Sequence, residues 1–127
     1  MIFTIGYAGR SLDEFVDTLR SNGITEVIDV RAFPTSKYED FKGENLRKSL
    51  SKNGISYLHL KELGGYRRPS YSEFMKTEEF KKGLDILLKE ARGKNVAIMC
   101  LERSFRRCHR RFIAERLGEL EVEIMHL

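Results

Sequence analysis

Short apolar runs alternate with amphipathic stretches from one end of the chain to the other, and this alternation restricts the fold more than any other feature of the sequence. Residues 2–5 (IFTI) run into Gly6, and residues 25–30 (TEVIDV), 55–60 (ISYLHL), 95–101 (NVAIMCL) and the closing VEIMHL are runs of the same kind. Val27 and Ile28 are adjacent rather than alternating, which reads as a strand buried on both faces. Between the runs, Leu12, Phe15, Val16 and Leu19 recur at helical spacing, Leu46 and Leu50 mark a short helix around 44–53, and Phe80, Leu84, Leu87, Leu88 and Ala91 make a buried stripe over 77–92. A last helix is expected from a cap at Ser104 to about Leu117. Ser11 followed by Glu14 fits a capping box, and Gly23, Gly93 and Gly118 fit helix stops. Strands alternating with helices imply right-handed crossovers, so the expected class is α/β: a three-layer α/β/α arrangement around a mostly parallel sheet of about five strands.

A chain of 127 residues, 41% hydrophobic, suffices for one core and is short for two, so residues 1–127 are expected to form a single domain. No stretch approaches the roughly 18 to 20 apolar residues of a membrane span, and MIFTIGYAGRS lacks the basic-then-apolar pattern of a signal peptide. A cytoplasmic location without membrane association is expected. Charged residues make up 33% and Gln is absent, which leans towards a thermophile's surface. Cytosolic cysteines are usually reduced, but intracellular disulfides occur in hyperthermophiles, so a Cys100–Cys108 bridge stays open.

In parallel sheets ligands bind outside the carboxyl ends of the strands. The sequence puts its unusual residues there: Gly6, Tyr7, Gly9 and Arg10 after the first strand, Asp29 and Arg31 at the second, Gly64 and Gly65 after the third, Cys100 and Glu102 at the fourth. Cys100 reads as a reactive thiol under the influence of the following helix N-terminus, or as an inert buried cysteine. His109 heads a stripe with Phe112, Ile113 and Leu117 and reads as a general acid/base, or as a core histidine bonded to a carbonyl or to Asp29. Asp29 is either an anchor for the glycine turn and an arginine, or a catalytic carboxylate. Cys108 reads as mainly structural. A zinc site from Cys100, Cys108 and His109 is a weaker alternative, because a fourth group is missing and the usual C-x2-4-C spacing is absent. No cofactor is expected.

Gly6-x-x-Gly9-Arg10-Ser11 is not a Walker loop, since Thr4 stands where its first glycine belongs and Arg10 where its lysine belongs. Cys100 to Arg106 matches the C-x5-R of cysteine phosphatases, yet LERSF has no glycine to let its N–H groups converge on a phosphate. The net charge is +4, and residues 102–111 (ERSFRRCHRR), with five Arg and one Glu, carry +4 between them. Arg103, Arg106, Arg107, Arg110 and Arg111 are expected near a helix N-terminus, where the macrodipole disfavours each cation by roughly 0.3–1 kcal/mol. Pairing with Glu102 and Glu115 would offset that, and so would a bound anion.

Taken together, T-I-G-Y-A-G-R-S-L-D-E-F, I-D-V-R-A-F-P-T-S, L-G-G and M-C-L-E-R-S-F-R-R-C-H-R resemble the domain of unknown function 488 family. The resemblance covers nearly the whole chain and includes Cys-x-Glu-x5-Cys-His-Arg. It implies an α/β domain and singles out Gly6, Ser11, Asp29, Arg31, Pro34, Ser36, Gly64, Gly65, Cys100, Glu102, Cys108, His109 and Arg110. Tyr7 stands where many relatives have His, and Arg111 where they have a small residue. The family name carries no reaction. The function expected from the residues is an enzyme acting on a phosphate-bearing substrate, a nucleotide or nucleic acid. Cys100 would be its thiolate, His109, Asp29 and Glu102 its catalytic groups, and Gly6, Tyr7, Gly9, Arg10, Arg31, Ser36, Gly64, Gly65, Arg106 and Arg110 its anion-binding set. The competing expectation is a non-catalytic nucleic-acid-binding domain using the arginine-rich helix start.

Overall fold

The computed structural model describes residues 1–65, 67, 70–104 and 108–127. Its elements follow the expected alternation: β1 (Ile2–Gly6), α1 (Leu12–Ser21), β2 (Glu26–Asp29), α2 (Gly43–Lys52), β3 (Ser56–His59), α3 (Tyr71–Phe74), α4 (Glu78–Glu90), β4 (Val96–Cys100), α5 (Arg110–Glu119) and β5 (Ile124–His126). The strands form one sheet in the order β3-β2-β4-β1-β5, and every neighbouring pair is parallel. The register aligns Gly6 with Cys100 and Asp29 with Met99, so β1, β2 and β4 end at nearly the same level.

Alternating side chains feed two cores. Phe3, Ile5, Val27, Ala97 and Met99 pack with Phe15 and Leu19 of α1 and Leu46 and Leu50 of α2. Ile2, Ile28, Val96, Ile98 and Cys100 pack on the other face with Phe80 and Leu87 of α4 and Ile113 and Leu117 of α5. The sheet is thus the middle layer of three, and its central strands are buried on both faces because each face has helices to cover. Among the described residues no helix is long and apolar enough to cross a membrane.

Local chemistry sets the boundaries. Ser11 Oγ accepts the Glu14 N–H at 3.1 Å, the N-cap bond of α1, and the hydroxyl itself donates to the Glu14 carboxylate. At its other end Gly23, at φ +66°, donates to Arg20 while Ile24 donates to Leu19, the double bond of a Schellman stop. α5 ends in the same pattern, with Glu121 donating to Gly118 and Val122 to Leu117. There the left-handed residue is Glu121, at φ +61°. Gly118 therefore does not stop this helix; it lies inside it, one turn before the stop.

The start of α5 also differs from expectation. The helix begins at Arg110 with His109 as its N-cap residue, five positions after the expected cap at Ser104. Arg103 consequently precedes the helix, and of the described arginines only Arg110 and Arg111 occupy its first turn. Arg106 and Arg107 lie outside the described residues.

Candidate functional site

The level strand ends open into a cleft of about 470 Å³, whose wall includes Tyr7, Arg31, Gly65, Cys100, Glu102, Cys108 and His109. The segment after β4 forms one side. Tyr7 N–H donates to the Cys100 carbonyl and Ala8 N–H to the Leu101 carbonyl, so the turn after β1 continues the sheet's pairing by two residues. Gly6 permits this approach, because a Cβ there would overlap the Glu102 carbonyl. Arg10 N–H is turned inward to the Tyr7 carbonyl, and the Arg10 side chain donates to the Gly6 carbonyl at 2.9 Å. The glycine turn thus spends its N–H groups at Tyr7, Ala8 and Arg10 on the protein itself.

Cys100 and Cys108 are joined by a disulfide, and both are nearly buried. The groups that would stabilise a thiolate after reduction lie against Cys108: the Arg110 N–H points at its Sγ from 3.5 Å and His109 Nδ1 stands 3.6 Å away. The sequence reading puts the thiolate on Cys100, which the helix start does not reach so directly. His109 Nε2 lies 2.7 Å from the Val30 carbonyl, a pure acceptor, so Nε2 is assigned the proton and Nδ1 the lone pair. Burial lowers the His109 pKa; the Val30 and Leu63 carbonyls oppose this, and the Arg110 charge adds to it. The ring is neutral near pH 7. Gly65 lies over it, where a Cβ would come within 3.0 Å of Nδ1.

Asp29 and Arg31 are a buried pair with a different task. The Asp29 carboxylate accepts from Arg31 Nε and Nη2, from the Arg31 N–H, and from the Tyr57 hydroxyl at 2.5 Å. Arg31 Nη1 donates to the carbonyls of Thr35 and Phe41, which ties the loop after β2 to the sheet. Burial works against the Arg31 charge, but Asp29 more than offsets it and holds the guanidinium protonated. Burial, then the Asp29 charge, pushes the Tyr57 hydroxyl pKa up. Asp29 thus stands behind Arg31 and does not line the cleft, while Arg31 lines it with each of its three side-chain nitrogens already hydrogen-bonded within the protein.

The remaining expected residues divide in the same way. Glu102 lines the cleft with an exposed side chain. Arg110 is fully buried and donates to the Glu102 carbonyl, while its Nε and Nη1 have no hydrogen-bond partner among the described residues. Burial lowers its pKa to about 10, with Glu102 opposing and Arg10 reinforcing the shift. Ser36 Oγ accepts from the Tyr38 N–H, and Gly64 allows the chain to pass Ala32, to whose Cα a Cβ would come within 2.9 Å. Gly9 lies beside Arg103 rather than on the cleft.

Sequence reasoning missed Arg67, Tyr71 and Tyr57. Arg67 donates to the Gly64 and Lys61 carbonyls and covers the Phe74 ring at 3.9 Å; Tyr71 donates to the Leu63 carbonyl and packs 5.2 Å from the His109 ring. The loop LGGYRRPSYS held the signal, since it leaves a strand end through Gly64 and Gly65 and carries Arg67 and Tyr71 to the cleft.

Residues 11–117 match the family model described as Domain of unknown function DUF488. No curated protein and no solved structure matches the chain.

Proposed function

Since the chain belongs to the family described as Domain of unknown function DUF488, a description that carries no reaction, we propose its function from the cleft itself: a thiol-dependent enzyme acting on a phosphate-bearing substrate, its thiolate supplied by the Cys100–Cys108 pair. One observation carries the reading. The sulfurs of Cys100 and Cys108 and a ring nitrogen of His109 lie within 4.8 Å of one another on the wall of a cleft at the strand ends.

Reduction of the bridge adds two electrons and two protons from an external dithiol, which is oxidised to its own disulfide, and leaves two adjacent thiols. The unprotonated Nδ1 of His109 accepts the Cys108 proton, and the α5 N-terminus favours the resulting thiolate. Cys100 remains beside it as the neutral partner thiol. Asp29 and Tyr57 serve as positioning groups, holding Arg31 against the cleft. The substrate class rests on charge: Arg31 and Arg67 line this cleft, and the sequence concentrates a formal +4 in residues 102–111.

The test is turnover by the reduced protein of phosphate esters, offered as a mononucleotide and as short RNA and DNA. Turnover that is lost in Cys108→Ser and needs the reduced state is expected. The arginine-rich segment favours a second reading, a nucleic-acid-binding domain without catalysis. Thiol-independent binding to the polymers with a log K against log salt slope of about −0.9 per phosphate, and no turnover, would replace the enzyme with that reading.

A further inference from the structure

We infer that the reduced cleft binds a zinc ion through Cys100, Cys108 and His109, with the fourth position open to the cleft. This goes beyond the thiol-enzyme reading above, from which it takes only the release of the two sulfurs by reduction, since a metal-bound Cys108 and His109 no longer serve as free thiolate and base.

The donor spacing is the first argument. A sulfur at about 2.3 Å and a nitrogen at about 2.05 Å from one tetrahedral ion stand roughly 3.6 Å apart. Cys108 Sγ and His109 Nδ1 are 3.6 Å apart. Two thiolates on the same ion stand about 3.8 Å apart. Once the bridge is reduced, Cys100 has only to settle at that separation from Cys108, because all three donors already lie within 4.8 Å of one another.

The second argument is the histidine's orientation. A ligating imidazole commonly donates its other N–H to a carbonyl or carboxylate, which fixes the ring and raises the basicity of the ligating nitrogen. His109 has that arrangement, with Nε2 on the Val30 carbonyl at 2.7 Å and Nδ1 turned to Cys108. Gly65 keeps the approach to Nδ1 clear, since any side chain there would begin 3.0 Å from that nitrogen.

Charge and coordination number decide what such a site would do. Two thiolates neutralise the divalent ion, and each thiol gives up its proton to solvent on binding. Structural zinc sites are closed by four protein ligands, whereas three ligands and an open position mark sites that polarise a substrate oxygen or activate water. The open side here is the 470 Å³ cleft. In the disulfide form the sulfurs are committed to each other, so oxidation and metal occupancy exclude one another.

The probe is Co2+, added to metal-free protein reduced with a water-soluble phosphine, which takes an oxygen from water and leaves two thiols. One ion per chain is expected, with sulfur-to-cobalt charge-transfer bands and the intense visible bands of a tetrahedral site, both displaced by Zn2+. The disulfide form should give neither. Cys108→Ser should remove the charge-transfer bands or weaken binding at least 100-fold, and His109→Ala should weaken it at least 10-fold. Because either variant could misfold, the wild-type chain supplies a second measure: one equivalent of Zn2+ should slow alkylation of its thiols at least 10-fold. Reduced protein without the bands, or bands that survive loss of Cys108 in a folded variant, would overturn the metal site. Thiols that react equally fast with and without Zn2+ overturn the metal site while leaving the thiol enzyme standing; tetrahedral bands without thiol-dependent turnover do the reverse.

Discussion

His109 Nε2 lies 2.7 Å from the Val30 carbonyl, which turns the other ring nitrogen towards Cys108 and the cleft. Burial, partly opposed by the Val30 carbonyl, lowers the pKa of this ring from the usual 6.5. Below about pH 6.5 the unfolded chain therefore binds a proton that the folded chain does not. Stability should be fully present above that value and fall as the pH drops towards the folded pKa, by at most about 1.4 kcal/mol per pH unit from this group. His126, also lowered by burial, adds to the effect. NMR titration should show His109 as the Nε2–H tautomer with a pKa below 6.5, and His109→Asn should flatten the decline in urea-unfolding stability between pH 7 and 5. A ring that titrates at or above 6.5 contradicts the assigned contacts.

The Asp29–Arg31 pair should be costly to break from one side. Asp29→Asn leaves a 7% exposed guanidinium facing a neutral amide, and removing one partner of a buried ion pair typically costs about 3–5 kcal/mol. Tyr57→Phe removes one hydrogen bond to the carboxylate and should cost about 1.5–3 kcal/mol. Equilibrium unfolding measures both. A loss under about 0.5 kcal/mol for Asp29→Asn would show that the pair does not tie the loop to the sheet.

Glu121 is the one non-glycine among the described residues with positive φ, at the stop where α1 uses Gly23. The left-handed conformation costs an L-residue about 1–2 kcal/mol, part of which glycine returns through its freer unfolded state. Glu121→Gly should stabilise the protein by about 0.5–1 kcal/mol, raising Tm by a few degrees in a thermal scan. An unchanged or lower Tm would mean that the Glu121 side chain makes a contact worth as much as the strain.

The layers and the succession of strands and helices along the chain were legible because periodicity records burial: Val27 beside Ile28, and Phe15 with Val16 and Leu19, admit few other readings. The convergence of Cys100, Glu102, His109 and Tyr7 followed from the rule that strand ends meet on one side of a parallel sheet. The start of α5 was not legible, since Ser104 has the chemistry of a cap whereas His109, the N-cap residue the helix uses, makes no side-chain cap bond that would mark it in the sequence. Asp29 as the anchor of an arginine was one of its two readings, but that the arginine is Arg31 and that Tyr57 shares the carboxylate was hidden. A charged residue at a strand end looks the same in sequence whether it faces the cleft or a tyrosine across the sheet, and Tyr57 was read there only as part of a strand.

The central claim is that reduction of the Cys100–Cys108 bridge creates a reactive thiol in the cleft, and alkylation of the folded protein with iodoacetamide across pH 5 to 9, mapped by peptide mass, tests it most directly. Before reduction neither cysteine should react. After reduction, Cys108 should react first and with a midpoint well below about 8.5, the ordinary thiol pKa, because His109 and the α5 N-terminus favour its thiolate. Cysteines that stay unreactive in the reduced protein until it is unfolded, or that react only with the midpoint of a free thiol, would contradict it.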